Sequence, residues 1–345
     1  MSSRQPVDRA GDQDGGDYRN EARGAELIAY GGGSSGFSIR GKEEGVAGMK
    51  RLYGITTAMV TPFDEQEQID LQRVEQLTEF LIGKGVHCLF PLGTTGEMIR
   101  LTVAERKAIA ETIVKTAAGR VTVYIHAGTT TLADTIELAR HAHAIEADGI
   151  GVVTPIFLGA NADELEQYYV TVSASIPDDF PMYLYNIPQC ASNDLPTAVA
   201  ERVQQRCANV VGIKYSYPDF LRTNEYLAIN DGQFSVMQGA DRLLLPALAM
   251  GCDGVISGVS CVYPEPFVAV YNAYQRNDLD EARRLQRIAI RYCEVLRSGS
   301  NMSYFKEALK LRGIDVGFMR APQLDLPEAE VLELKRQLAE LPMLG

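Results

Sequence analysis

Positive charge is in short supply. Lysine and arginine number 33 against 45 aspartates and glutamates, a formal net charge of -12 over 345 residues. That is the wrong sign for a surface that neutralises nucleic-acid phosphates or anionic lipid headgroups. No uninterrupted apolar run approaches the roughly 18 residues needed to cross a bilayer, and no apolar signal core opens the chain. A cytoplasmic protein is expected, with neither nucleic acid nor membrane as partner. The six cysteines (Cys88, Cys190, Cys207, Cys252, Cys261 and Cys293) form no C-x-x-C pair, and the four histidines are His87, His126, His141 and His143. Metal-ligand spacing is therefore missing, and His141 and His143, two apart, point to different sides of a helix. The cysteines are expected to be reduced and mostly buried.

What is present is ordinary globular composition, 46% hydrophobic and 23% charged, with enough length for one large core or two modest ones. Eleven of the 31 glycines fall in residues 1–48, in runs such as Gly31-Gly32-Gly33-Ser34-Ser35-Gly36, with no apolar period. Burial there cannot offset the entropy of ordering, so a flexible tail is expected over 1–48. From residue 49 onward, short β-rich runs begin near Ile55, His87, Val121, Ile150, Pro181, Val210, Phe234 and Gly254. Amphipathic stretches lie between them: Asp70 to Gly85, Thr102 to Ala118, Leu132 to Ala147, Ala162 to Ser175, Pro196 to Cys207, Asp219 to Asn230, Asp241 to Met250 and Glu265 to Arg276. Near-continuous apolar strands alternating with helices imply a parallel sheet covered on its faces. Eight such units predict an α/β fold, a closed (β/α)8 TIM barrel over 49–276. A doubly wound open sheet is the competing architecture, but no Gly-rich phosphate loop follows the first strand. Helical patterns near Asp278 to Arg297, Met302 to Arg312 and Pro327 to Leu341 predict a C-terminal helical appendage over 277–345.

In such barrels the chemistry lies where strands end. Strand 2 ends in Gly93-Thr94-Thr95-Gly96-Glu97, strand 5 in Tyr185-Asn186-Ile187-Pro188, strand 6 in Lys214-Tyr215-Ser216, strand 7 in Gly239-Ala240-Asp241 and strand 8 in Ser257-Gly258. Of nine lysines, only Lys214 ends a buried apolar strand. Loss of hydration at such a place favours the neutral amine, which attacks ketones; an ion pair at the barrel mouth is the other reading. Tyr185 ends the neighbouring strand, either as a proton relay or as a core tyrosine. Thr94 and Thr95 offer hydroxyls and backbone N–H groups suited to a small carboxylate, or form a plain turn. Glu97 is expected to cap the following helix. Gly239 and Gly258 permit close backbone approach to a ligand, or serve only as turn residues. On one face these groups describe a pocket for a small 2-oxo acid.

At these residues the sequence resembles the dihydrodipicolinate synthase and N-acetylneuraminate lyase family, the class I Schiff-base pyruvate lyases. The resemblance runs from about Leu52 to Leu311. It rests on G-T-T-G-E at Gly93 to Glu97, V-T-P at Val153 to Pro155, Y-N-I-P at Tyr185 to Pro188, G-I-K at Gly212 to Lys214, G-A-D at Gly239 to Asp241 and D-G-V-I-S-G at Asp253 to Gly258. It implies that Lys214 forms an imine with the substrate ketone, that Tyr185 shuttles protons, and that Thr94 and Thr95 hold the pyruvyl carboxylate. It also implies that the backbone carbonyl of Ile256 faces the substrate, and that the working unit is a homotetramer built as a dimer of tight dimers. No metal or organic cofactor is expected, because the protonated imine is the electron sink.

The departures bear on substrate. The synthase branch has an arginine two residues after the Y-N-x-P proline, binding the carboxylate of the aldehyde substrate; here the residue is Cys190, which cannot form that ion pair. A tyrosine common after V-T-P is Phe157 here. Ser216 and Asp241 match positions that contact the polyhydroxylated substrate in the sialate-lyase branch, but Arg242 and Gly258 replace an acid and a serine. The leading expectation is a lyase or aldolase that reversibly cleaves a 4-hydroxy-2-oxo (2-oxo-3-deoxy) acid to pyruvate and an aldehyde. The alternatives are a 4-hydroxy-tetrahydrodipicolinate synthase using pyruvate and aspartate semialdehyde, a dehydratase or deaminase on the same imine, and a non-catalytic 2-oxo-acid-binding protein.

Overall fold

The computed structural model describes residues 49–342; the tail expected over 1–48 lies outside them. Eight strands form a closed barrel in sequence order, every neighbouring pair parallel. They are β1 Gly54–Ala58, β2 Cys88–Phe90, β3 Thr122–His126, β4 Gly149–Val153, β5 Met182–Asn186, β6 Val210–Tyr215, β7 Ser235–Gln238 and β8 Gly254–Ser257. The barrel, rather than the open sheet, is thus the architecture. Its strands lack a polar face because both faces are covered.

The outward side chains, such as Ile55, Leu89, Ile125, Ile150, Leu184, Ile213, Val236 and Val255, join the main core beneath the helices. The inward ones form a second cluster containing Ala58, Cys88, Phe90, Tyr124, Tyr183, Met237 and Ile256. Large rings fit inside because glycines face them. A Cβ on Gly149 would lie 2.4 Å from the Tyr124 ring, and one on Gly151 equally close to Phe90. The Tyr183 hydroxyl is satisfied by donating to Ser235 Oγ at 2.6 Å, and that of Tyr124 by donating to the Lys50 carbonyl.

The surrounding helices are α1 Leu71–Gly83, α2 Val103–Ala117, α3 Leu132–Ala144, α4 Ala162–Ser173, α5 Pro188–Ala191, α6 Thr197–Arg206, α7 Phe220–Gly232, α8 Leu244–Met250 and α9 Pro264–Gln275. Side-chain caps start several of them: Asp70 on α1, Thr102 with Glu105 as a capping box on α2, Thr131 on α3, and Asn161 with Glu164 on α4. Two elements depart from expectation. Helix α5 is a single turn, too short to show a period. Asp241 does not begin α8; it opens a tighter turn, Asp241–Leu243, because its carboxylate accepts from the Val259 N–H instead of capping a helix.

Helices α10 Leu279–Val295, α11 Met302–Leu311 and α12 Glu328–Ala339 follow. The appendage reaches the end of the barrel at which the strands terminate. The Phe318 N–H donates to the Phe63 carbonyl, and Arg320 donates to the Arg100 carbonyl and pairs with Glu105. No helix among the described residues is long and apolar enough to cross a membrane.

Candidate active site

Lys214 and Tyr185 are partners in the β5–β6 register, so their side chains share one level of the barrel interior. Both are buried, Lys214 at 4% and Tyr185 at 1% exposure. The amine does not meet the phenol hydroxyl edge-on. Nζ lies over the Tyr185 ring, 4.0 Å from its centroid, and 4.7 Å from that of Phe90. The hydroxyl turns instead to Thr94, 3.1 Å from Oγ1. An amine and a pair of linked hydroxyls therefore sit side by side at the ends of neighbouring strands.

Thr94 and Thr95 occupy a turn with little conformational latitude. The Glu97 N–H returns to the Thr94 carbonyl, and Met98 N–H to that of Gly93. Gly96 is wedged in place: a Cβ there would fall 2.9 Å from Leu92 N, and Thr61 Oγ1 donates to the Gly96 carbonyl at 2.7 Å. Glu97 takes a left-handed φ of 58° and makes no side-chain cap, contrary to the expected helix cap. Its carboxylate is drawn instead to two cations, Arg100 at 2.5 Å and Lys306 at 3.3 Å. An ion pair out of water outcompetes a single backbone N–H.

The remaining candidates lie in or just after the C-terminal ends of β6, β7 and β8. Ser216 is buried against Gly239, where a Cβ would lie 1.9 Å from Ser216 Oγ, so only glycine leaves room for that hydroxyl. Ile256 faces the barrel interior in register with Thr56. A Cβ on Gly258 would come 3.2 Å from Thr95 Oγ1. Asp241 has one oxygen on the Val259 N–H at 3.2 Å and the other, Oδ1, buried without a partner among the described residues. Burial pushes its carboxyl up to about 6, against the opposing pull of the Ser257 hydroxyl, the Val259 N–H and the charge of Lys214.

That shift has a stability signature. The folded state prefers the neutral carboxyl, so the associated stability is fully present below the ordinary value of 3.8 and is lost as pH rises through about 6. In urea melts, Asp241→Asn is expected to remove this component. The difference in midpoint between variant and wild type should move in the variant's favour from pH 4 to pH 6.5; a constant difference would refute the assignment.

Three side chains escaped sequence reasoning. His126 ends β3 fully buried, with its ring 5.7 Å from and perpendicular to that of Tyr185 and Nδ1 3.0 Å from the Leu92 carbonyl. Burial first, then the charges of Arg106 and Lys214, push it well below the usual histidine range, so it is neutral. Arg106 is buried from α2 and donates to the Gly128 and His126 carbonyls at 2.9 and 2.6 Å. Lys306 is a second buried lysine, lowered to about 8 chiefly by burial. The position of His126 at a strand end was a signal available in the sequence; Arg106 and Lys306 lie in helical patterns that look like exposed charge.

Outside Thr94 the site widens into a cleft of about 350 Å³, lined among others by Met98, Arg100, Val153, Ile156, Ile187, Cys190, Met302 and Gln323. Cys190 sits exposed on α5, where partial loss of hydration raises its thiol. Phe157 stands at the edge with φ 74° and 87% exposure. None of the six cysteines is joined in a disulfide, and no group of three or more His, Cys, Asp or Glu suited to a metal occurs among the described residues.

Fold and site together define a (β/α)8-barrel enzyme with a buried lysine at the ends of its strands. The sequence profile of the dihydrodipicolinate synthetase family matches residues 51–341, so the chain belongs to that family and is an enzyme of the lyase class. It is 32% identical over 293 residues to an uncharacterized DapA-like lyase of Halobacterium salinarum, covering 85% of this chain and 95% of the relative. It is 34% identical over 281 residues to a 4-hydroxy-tetrahydrodipicolinate synthase of Methanosphaerula palustris, covering 80% and 94%. Among solved structures it is similar to YagE, a prophage protein of the dihydrodipicolinic acid synthase family from E. coli K12 in complex with pyruvate. The TM-score is 0.79 at 29% identity, covering 84% of this chain and 98% of that one.

Proposed function

We propose that this enzyme reversibly cleaves a 4-hydroxy-2-oxo acid of the 2-oxo-3-deoxy type to pyruvate and an aldehyde, through an imine on Lys214. The observation that carries this reading is the stacking of the Lys214 amine on Tyr185, whose hydroxyl is tied to Thr94. The amine adds to the C2 ketone, and the carbinolamine loses water to give a protonated imine. As the C3–C4 bond breaks, its electron pair passes to the imine nitrogen, forming an enamine. The 4-hydroxyl gives up its proton towards Tyr185, and the aldehyde leaves. Protonation at C3 and hydrolysis then release pyruvate and restore the free amine. Thr94 and Thr95 hold the pyruvyl carboxylate, while Ser216, Gly239, Asp241 and the Ile256 carbonyl border the substrate.

The test is a panel of 2-oxo-3-deoxy acids assayed for pyruvate release, with borohydride reduction in the presence of pyruvate and mapping of the modified peptide. Modification anywhere but Lys214, or no release from any acid, would reject the reading. Tyr185→Phe removes the relay but keeps the ring under the amine. It is expected to lower kcat about 100- to 10,000-fold while trapping at Lys214 persists.

The synthase reaction is the second reading, supported by the name of the Methanosphaerula relative. Cys190 weighs against it, since a neutral thiol cannot pair with the aldehyde's carboxylate. Rescue of a lysine-requiring strain would decide for it. We further propose a cytoplasmic location and a homotetramer; the exposed apolar side chains Ile99, Phe157 and Leu158 support the assembly, and sedimentation of the purified enzyme as a monomer would exclude it.

A further inference from the structure

The cleft beyond Thr94 is mostly apolar, walled by Met98, Ile99, Val153, Ile156, Ile187 and Met302. Among its lining residues Arg100 is the one cation and Glu97 the one anion. A pair of that kind would ordinarily be neutral, but here the carboxylate is shared. Arg100 Nη1 reaches one oxygen of Glu97 at 2.5 Å, and Lys306 Nζ reaches the other at 3.3 Å. Two cations on one carboxylate leave a single excess positive charge, and the two other charges acting on Lys306, Asp325 and Lys310, are of opposite sign and offset each other. Its distribution is uneven, because the side chains of Lys306 and Glu97 are only 1% and 3% exposed while that of Arg100 is 20% exposed. Lys306 is also occupied within the protein, donating to the Phe318 carbonyl at 2.6 Å and lying 4.3 Å from the centroid of the Phe63 ring.

The guanidinium is therefore the group through which the excess charge faces the cleft. It is also oriented: Nη1 is fixed between Glu97 and Gln323 Oε1, the latter at 3.0 Å. Among the described residues no hydrogen bond is made by Nη2. An oriented guanidinium edge beside apolar walls suits an anionic oxygen pair, and low polarity around it strengthens the attraction. In a chain of net charge -12, such a local site is what an acidic substrate end requires.

We infer that Arg100 is a specificity-determining residue that receives an anionic group, carboxylate or phosphate, at the end of the substrate remote from the 2-oxo acid. This rests on the aldolase reading above and narrows it: the aldehyde released carries a negative charge. The cation at Arg100 comes from the loop after β2, and not from α5, where Cys190 stands.

The test compares wild type, Arg100→Gln and Arg100→Lys on three 4-hydroxy-2-oxo acids of matched length, ending in a carboxylate, a phosphate or a neutral hydroxymethyl group. Pyruvate release is measured, together with borohydride trapping of pyruvate at Lys214. Arg100→Gln is expected to lower kcat/KM for an anionic acid roughly 10- to 100-fold, mainly through KM. The neutral acid should change less than about 3-fold, Arg100→Lys should recover part of the loss, and trapping should be unaltered. The anionic acid that suffers the larger loss identifies the source of the charge. Equal losses on charged and neutral acids, or a wild type that does not favour charged ones, would overturn the inference while leaving the aldolase reading intact. Failure of every acid together with absent trapping would overturn both.

Discussion

Replacing Lys214 by alanine is expected to abolish turnover, with kcat falling by at least about 10,000-fold, and to eliminate the borohydride-trapped pyruvyl adduct. On the proposed mechanism no imine forms without the amine, and among the described residues no second amine stands at this level of the barrel to accept the electron pair of the breaking C–C bond. The groups around Lys214 include the rings of Phe90 and Tyr185, the neutral His126 and Asp241, which feels its charge, none of them an amine. Lys306 cannot substitute, because it is held beneath the β2–α2 loop by Glu97 and the Phe318 carbonyl. The fold should survive, since the truncation removes a long polar side chain from a barrel whose lower level is filled by Tyr124 and Tyr183. Unchanged circular dichroism with activity lost is the expected pair of results; retained turnover would remove Lys214 from the mechanism.

The second large effect concerns stability. Strands β8 and β1 close the barrel with Gly254 directly opposite Gly54. A Cβ on Gly254 would fall 2.1 Å from the Gly54 carbonyl oxygen and 2.5 Å from its nitrogen. These are backbone atoms that cannot rotate aside, and Gly54 is itself held at a left-handed φ of 57°. Gly254→Ala must therefore part the two strands at the closing seam. A loss of about 3 kcal/mol or more is expected, lowering Tm by roughly 6 to 12 °C. Gly159→Ala, where an added Cβ would meet nothing within 4 Å, serves as the control and should be nearly neutral. Equal melting of the two variants would show that the seam yields more easily than close packing allows.

These two glycines mark the limit of what was legible in the chain. The eight β-rich runs and their helices fell close to the observed elements because their signals are local: apolar continuity for strands buried on both faces, a period of 3.6 for helices, and short polar caps. Gly254 was readable as the start of the eighth β-rich run and as part of a D-G-V-I-S-G segment. That it abuts Gly54, some two hundred residues earlier, depends on barrel closure. Glu97 shows the same limit at the site. Its place before a helical stretch suggests a cap, yet Lys306 arrives from α11 and takes the carboxylate.

The sequence by itself determined the eightfold βα order, the lysine at the end of the sixth strand and the likeness to Schiff-base lyases, because each is carried by neighbours along the chain. The tertiary structure alone decided that the Lys214 amine lies over the Tyr185 ring while the hydroxyl turns to Thr94, that Asp241 faces Val259, and that Arg100 and Lys306 share Glu97. Those arrangements join residues from different strands and from the appendage. Their energies arise from burial and charge pairing at distances that only the closed barrel sets.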